Sequence, residues 1–185
     1  MDKKRVELAV EELLKSLELD IERQGLKDTP RRVAEMYIEQ CSNNNARLDV
    51  AFQQESYDGM VIVRDIPFVS YCEHHLLPFD GRAHVAYIPR KELLGISKLA
   101  RLVYSCSKGF TIQETITEKI ADWLSNSDIT IGCAVVLEAE HGCMNLRGAR
   151  SIGSSTITSI VRGVFRDAPS ARSEFITLLC KGGPR

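Results

Sequence analysis

Cys72-Glu73-His74-His75 sets a thiol and an imidazole three positions apart, a separation that one turn of chain can wrap around a single ion. Cys143, in the run Glu140-His141-Gly142-Cys143-Met144, can supply a third ligand. Two thiolates and one imidazole suit zinc in softness and in tetrahedral geometry. A set of three leaves the fourth position for water, the arrangement of a catalytic rather than a structural site. Spacing alone leaves two alternatives open: Cys72 and Cys143 as small core residues beside ordinary histidines, or a structural four-ligand site completed by His141 or Cys133. Two thiolates offset the ion's charge, so its water is acidified less than in a three-histidine site and a nearby base would help. His74 and His141 are imidazoles able to carry protons near neutrality.

A second group of residues reads as an anion site. In Gly95-Ile96-Ser97-Lys98-Leu99-Ala100-Arg101, Ser97 is placed to cap a helix, with Lys98 and Arg101 three apart on one face. A cation is disfavoured at a helix N-terminus unless an anion binds there, where free N–H groups and the helix dipole both favour a phosphate; the alternative is a solvated basic face. Arg147, four residues beyond Cys143, and Arg32 could complete a cradle that grips phosphates bidentately. No G-x-x-x-x-G-K-[ST] run occurs, so a nucleotide here would be a substrate rather than an energy source held by a P-loop. In Gln113-Glu114 a carboxylate is available for the two adjacent donors of guanine, although Thr111-x-x-Glu114 equally reads as a helix capping box.

The elements that must position these residues follow from periodicity. Val6, Val10, Leu13, Leu14 and Leu17 recur at helical spacing, so the first twenty residues read as an amphipathic helix. A second helix is predicted from Thr29 as cap and Pro30 as first helical residue to about Cys41. Residues 42–59 read as a long loop. The segments 60–65, 82–88, 129–140 and 154–165 alternate or are β-branched and read as strands; helices are expected over 97–107, 111–124 and after Pro169. That order predicts an α+β fold with a mostly antiparallel sheet.

The 185 residues, 44% apolar, fit one globular domain. Its 24 basic and 25 acidic side chains nearly cancel, which argues against the strong basic field of a nucleic-acid binder. No signal-like or membrane-spanning apolar run is present, so a soluble, cytoplasmic protein is expected. Six irregularly placed cysteines then read as thiols or metal ligands rather than disulfides.

Five motifs in order, Gly25-Leu26-Lys27-Asp28-Thr29-Pro30-x-Arg32-Val33-Ala34, Cys72-Glu73-His74-His75, Gly95 to Arg101, Gln113-Glu114 and His141-x-Cys143-Met144-x-x-Arg147-Gly148, resemble GTP cyclohydrolase I. The resemblance implies the tunnelling fold in one domain over 1–185: N-terminal helices (1–42) and a catalytic core (60–185) whose antiparallel sheet carries two helices on one face. It implies a homodecamer of two pentamers, with active sites between subunits and Arg32 reaching a neighbour's triphosphate. Cys72, His75 and Cys143 are then similar to the zinc ligands. His141, His74 and Ser97 would be the proton carriers, Lys98, Arg101, Arg147 and Arg32 the triphosphate ligands, and Gln113 and Glu114 the guanine anchors. The implied reaction converts GTP and water to 7,8-dihydroneopterin triphosphate and formate, the first step of tetrahydrofolate and pterin synthesis. Two departures from the family pattern bear on nucleotide affinity and interface packing: Glu35 stands where many members carry lysine, and Gly109 to Thr115 replaces an arginine- and glutamine-rich run. A non-catalytic zinc module and a pterin- or deazaguanine-pathway relative are the competing expectations.

Overall fold

The computed structural model describes residues 1–42, the backbone of 51–53, and residues 57–181. The chain forms two compact units, Met1–Asn43 and Asn44–Arg185. In the first, helix α1 (Lys3–Ser16) is capped by Asp2, whose carboxylate accepts from the Arg5 N–H at 3.1 Å. Helix α2 (Thr29–Cys41) packs against it and carries Pro30 in its first turn, where the missing N–H costs nothing. Thr29 is not the cap expected from the sequence. Asp28 holds that position without a side-chain cap bond, and the Thr29 hydroxyl donates back to the Gly25 carbonyl at 3.4 Å.

The second unit is built on a five-stranded sheet. Strands β2 (Val61–Cys72), β3 (Pro78–Pro89), β6 (Thr130–His141) and β7 (Ser155–Gly163) are antiparallel neighbours in the order β2-β3-β6-β7. A two-residue strand β5 (Phe110–Thr111) adds in parallel to the end of β2, pairing Cys72 with Thr111. The loop predicted over 42–59 is interrupted by β1 (Ala51–Gln53), which pairs with β4 (Glu92–Leu94); residues 43–50 and 54–56 of that expectation lie outside the described residues. Backbone pairing needs no hydrophobic period of its own, which is why strands of two or three residues escape a pattern search.

Alternation along the strands sorts the core. Phe68, Ala83, Val85, Tyr87, Cys133, Val135 and Leu137 face helices α3 (Ile96–Cys106) and α4 (Gln113–Asn126), which contribute Leu99, Leu102, Val103, Ile116, Ile120 and Leu124. The intervening residues Ala86 and Ala134 face the other way, onto Phe165 of α6 (Val164–Asp167) and Phe175 of α7 (Pro169–Cys180). The outcome is the α+β arrangement expected for the tunnelling fold, with two helices on one face of a mostly antiparallel sheet.

Candidate metal and nucleotide site

Cys72 ends β2 in a turn that returns on itself. Its N–H donates to the Leu77 carbonyl at 2.9 Å, and its own carbonyl accepts from the N–H groups of His75 and Leu76 at 3.3 and 2.9 Å. Leu76 takes a positive φ of 55° to close the turn, a conformation that costs a non-glycine residue about 1–2 kcal/mol and signals a constrained site. The result is a His75 Nδ1 only 3.7 Å from the Cys72 sulfur. From the other side, the pairing of Phe79 with His141 brings the end of β6 beside the start of β3. Gly142 then begins the short helix α5 (Gly142–Asn145), so close to β3 that a Cβ there would lie 2.7 Å from the Pro78 carbonyl oxygen. Only glycine permits that approach, and it delivers Cys143 to the turn.

The ligand atoms of Cys72, His75 and Cys143 all lie within 4.8 Å of one another. A tetrahedral ion with Zn–S of about 2.3 Å and Zn–N of about 2.0–2.1 Å wants ligand-to-ligand edges somewhat shorter than this, within reach of small side-chain rotations. The residues present therefore fit a zinc ion. Burial, and after it the neighbouring Cys72 sulfur, push the Cys143 thiol up, as expected of two sulfurs that share a site and want a cation between them. Neither candidate fourth ligand joins the group, which is the one such cluster among the described residues. The Cys133 thiol is buried on the sheet and donates to the Ala121 carbonyl at 3.5 Å. His141 is held elsewhere: its Nε2 lies 2.8 Å from Gln113 Oε1, and its ring stacks on Phe79 at 4.6 Å between centroids and 5° between planes. Phe79 was not found from the sequence; its place two residues after the turn, opposite His141, shows only once β3 and β6 are paired.

The remaining predicted residues divide. His74 is exposed, its Nδ1 3.8 Å from the Cys72 sulfur and its Nε2 3.8 Å from a Glu73 carboxylate oxygen. Arg147 reaches the metal group directly, with Nη1 at 2.6 Å from His75 Nε2, which leaves Nδ1 as the ring atom turned to the sulfurs. Glu114 is exposed in the first turn of α4, next to the Cys72–Thr111 pairing. It belongs to no capping box: α4 starts at Gln113 with Ile112 at the cap position, and Thr111 is part of β5. Gln113 is buried and its amide is fully engaged inside the fold. Burial holds His141 below the ordinary histidine value, and the Glu114 charge partly opposes this. The fourth histidine, His84, accepts from the Asp65 N–H at 3.2 Å in the middle of the sheet and takes no part in the site.

Ser97, Lys98 and Arg101 do not join the metal group of their own chain. Helix α3 begins where the Leu94 N–H donates to the Tyr87 hydroxyl at 2.9 Å, whereas the metal group sits at the Phe79 end of β3. Eight residues of strand separate Phe79 from Tyr87, about 26 Å at 3.3 Å per residue. The C-terminal end of α3 is the one near the Cys72, His75 and Cys143 group: the Ser70 hydroxyl donates to the Gly109 carbonyl, and Phe110 pairs with Tyr71. Ser97 is not the cap either, since Gly95 holds that position and Ser97 lies in the first turn, exposed. Lys98 is 8% exposed, while Arg101 one turn on is exposed. Arg32 belongs to the first unit, where it lies 3.5 Å from the Asp28 carboxylate. Glu35 of the same helix is bound by Lys3 at 2.7 Å and Arg31 at 3.0 Å, which offset the charge that the sequence suggested would repel a phosphate.

A sequence profile of GTP cyclohydrolase I matches residues 6–180. The chain belongs to the GTP cyclohydrolase I family. Relatives of the family named GTP cyclohydrolase 1 align over nearly the whole chain. That of Caldanaerobacter subterraneus subsp. tengcongensis is 46% identical over 183 residues, 97% of each chain. That of Carboxydothermus hydrogenoformans is 46% identical over 189 aligned positions, 100% of this chain and 98% of its own. That of Bacillus subtilis is 47% identical over 180 residues, 95% of each. Among solved structures, archaeosine synthase QueF-Like in the apo form aligns with a TM-score of 0.47 at 16% identity, covering 59% of this chain and 97% of that one, too slight a likeness to bear on function. For a member of the GTP cyclohydrolase I family, the Cys72, His75 and Cys143 group is the natural place to look for the reacting centre.

Proposed function

We propose that this chain, as one GTP cyclohydrolase I domain over 1–185, converts GTP and water to 7,8-dihydroneopterin triphosphate and formate, the opening step of pterin and folate synthesis. The observation that carries the reading is the convergence of Cys72, His75 and Cys143 to within 4.8 Å in a chain of this family. The donor set of two sulfurs and one ring nitrogen favours zinc over harder divalent ions. When bound, zinc supplies Lewis acidity and an open position at which water is activated for attack on C8 of the purine.

The chain's own groups do the rest. Glu114, exposed in the first turn of α4, accepts from guanine N1–H and the 2-amino group and fixes the base. His141, kept mostly neutral by burial, takes and returns a proton as the imidazole ring opens and formate leaves. His74 protonates the ribose ring oxygen so that the sugar can open and rearrange, and Ser97 assists later proton transfers. Arg147 grips the triphosphate next to the metal group, with Lys98, Arg101 and Arg32 as its further ligands. Because Ser97, Lys98 and Arg101 sit toward the far end of α3, one substrate can touch them and the metal group only if two copies of the chain share it. That requirement supports a homo-oligomer, which we take to be the decamer of two pentamers.

Among the described residues no helix is long and apolar enough to cross a membrane, and the charges nearly balance, in keeping with a cytoplasmic enzyme without a nucleic-acid partner. Purified protein given GTP should release formate and, after oxidation, yield a fluorescent pterin; chelation or Cys143→Ala should abolish both. Protein that carries full zinc and binds GTP without releasing formate would overturn the proposal.

A further inference from the structure

Gln113 is 1% exposed and touches His141, and every polar atom of its amide has a partner. Its Nε2 lies 3.1 Å from the Leu137 carbonyl, 3.0 Å from the Thr156 carbonyl and 3.1 Å from the Thr158 hydroxyl. Backbone carbonyls only accept. Rotating the amide by half a turn would set its oxygen against two carbonyl oxygens, so the nitrogen must be the end that faces them. The neighbouring hydroxyls agree with this polarity. The Thr117 hydroxyl donates to the Gln113 backbone carbonyl at 2.9 Å, so its oxygen accepts from the Thr158 hydroxyl at 2.7 Å, leaving the Thr158 oxygen free to accept from Gln113 Nε2.

With the amide's direction fixed, only Oε1 remains, and it faces His141 Nε2 at 2.8 Å. An amide oxygen cannot donate, so His141 Nε2 must. We propose that Gln113 is a positioning residue that holds neutral His141 as the Nε2–H tautomer and so makes Nδ1 the nitrogen through which His141 exchanges protons with substrate. This rests on the proton-carrying role of His141 stated above, and it moves Gln113 from the guanine anchors to the support of that histidine. The ring has two constraints that leave it no other pose: the bond to Gln113 fixes one edge, and the parallel stack on Phe79 fixes its plane. No bond to Nδ1 forms among the described residues. The carbonyl acceptors that lock Gln113 come from the backbones of β6 and β7, so the tautomer is built into the sheet and not into a mobile loop.

Two-bond 15N–1H correlation spectra of the zinc-loaded, histidine-labelled protein read the tautomer without any turnover, at a pH where His141 is neutral. His141 is assigned by its loss in His141→Asn. The expected pattern is a protonated Nε2 and a pyridine-like Nδ1; a protonated Nδ1 overturns the proposal whatever the activity. A kinetic readout separates support from substrate contact. Gln113→Met, which keeps the volume and removes the acceptor, should lower kcat by about 10- to 100-fold with KM for GTP changed by less than about twofold. A raised KM with kcat intact would instead make Gln113 a guanine ligand and overturn the inference. Should Gln113→Met fail to fold, Thr158→Val removes one of the three acceptors while leaving Gln113 itself. It should then show broadened or mixed His141 tautomer signals, and an unchanged signal overturns the inference. Absence of formate release from the unmodified protein, with the Nε2–H pattern present, would count against the proposed reaction and not against the tautomer.

Discussion

Mixing two inactive variants tests where the triphosphate ligands come from. Lys98→Met keeps the apolar stem in its nearly buried place and removes the charge, and Cys143→Ala removes a metal ligand. Each alone should be close to inactive. Lys98 lies in the first turn of the 11-residue helix α3, whose other end lies toward the metal group, and the metal group sits about 26 Å along β3 from the Tyr87 end where that helix starts. No lysine side chain spans that gap, so under the proposed roles a working site draws its metal group from one copy and its lysine from another. In an oligomer assembled at random from equal amounts of the two variants, half of the metal-bearing positions come from the Lys98→Met chain. Half of the facing positions come from the Cys143→Ala chain, so about one quarter of the sites are complete. Co-expression of the two with different tags, purification through both, and a formate assay should therefore recover about 25% of normal kcat/KM per chain, with the remaining sites silent. Recovery no greater than that of the single variants would mean that Lys98 and Cys143 serve the same site from one chain, and the two-copy account would be refuted.

Further outcomes follow from the site's chemistry. Burial depresses the His141 value and Glu114 raises it, so the acid-side loss of activity should fall below pH 6.5, and Glu114→Gln should move the His141 titration further down; an upward movement in an NMR titration contradicts this. Gly142→Ala should set a methyl against the Pro78 carbonyl at a cost of about 1–3 kcal/mol, lowering zinc stoichiometry by metal analysis while the circular dichroism is kept; full zinc occupancy would show that α5 does not depend on that approach. Zinc affinity should fall as pH falls, by between about tenfold and a hundredfold per unit, one factor of ten for each thiol proton displaced. A competition titration that is flat with pH would argue against two thiolate ligands. Chelation should silence the enzyme and leave its circular dichroism intact, since a core of sheet and helices, not the ion, holds the fold; unfolding on chelation would instead mark a structural zinc module.

The grouping of Cys72, His75 and Cys143 was legible in the sequence as a candidate metal set from residue types and the Cys72–His75 spacing, while the pairing of β3 with β6 that delivers Cys143 to the turn shows only in the fold. The strands β6 and β7, the first half of β2 and most of β3, and the helices from Thr29 and Pro169 were legible too, from alternation and from proline at the first turn, whereas the half of β2 that ends at Cys72 and the first residues of β3 were not. Helix caps were not. Thr29, Ser97 and Thr111 each suit a cap by residue type, yet Asp28, Gly95 and Ile112 hold those positions. Thr111, for example, is drawn into pairing with Cys72, so a tertiary bond outweighs a local preference. Nor could spacing say which end of α3 approaches the Cys72, His75 and Cys143 group, because that depends on how β4 returns along Tyr87. The same holds for Gln113. As a dipeptide with Glu114 it reads as a base ligand, and only the carbonyls of Leu137 and Thr156, 24 and 43 positions away, reveal that its amide faces inward.

The zinc K-edge absorption spectrum of the purified, catalytically competent protein speaks most directly to the centre on which the proposed chemistry depends. Two sulfur scatterers at about 2.3 Å and two nitrogen or oxygen scatterers at about 2.0–2.1 Å, one of which is exchanged when a purine substrate analogue binds, is the predicted result. Three or four sulfurs, or a shell of four protein donors that no ligand perturbs, would contradict a site in which Cys72, His75 and Cys143 leave one position open for water.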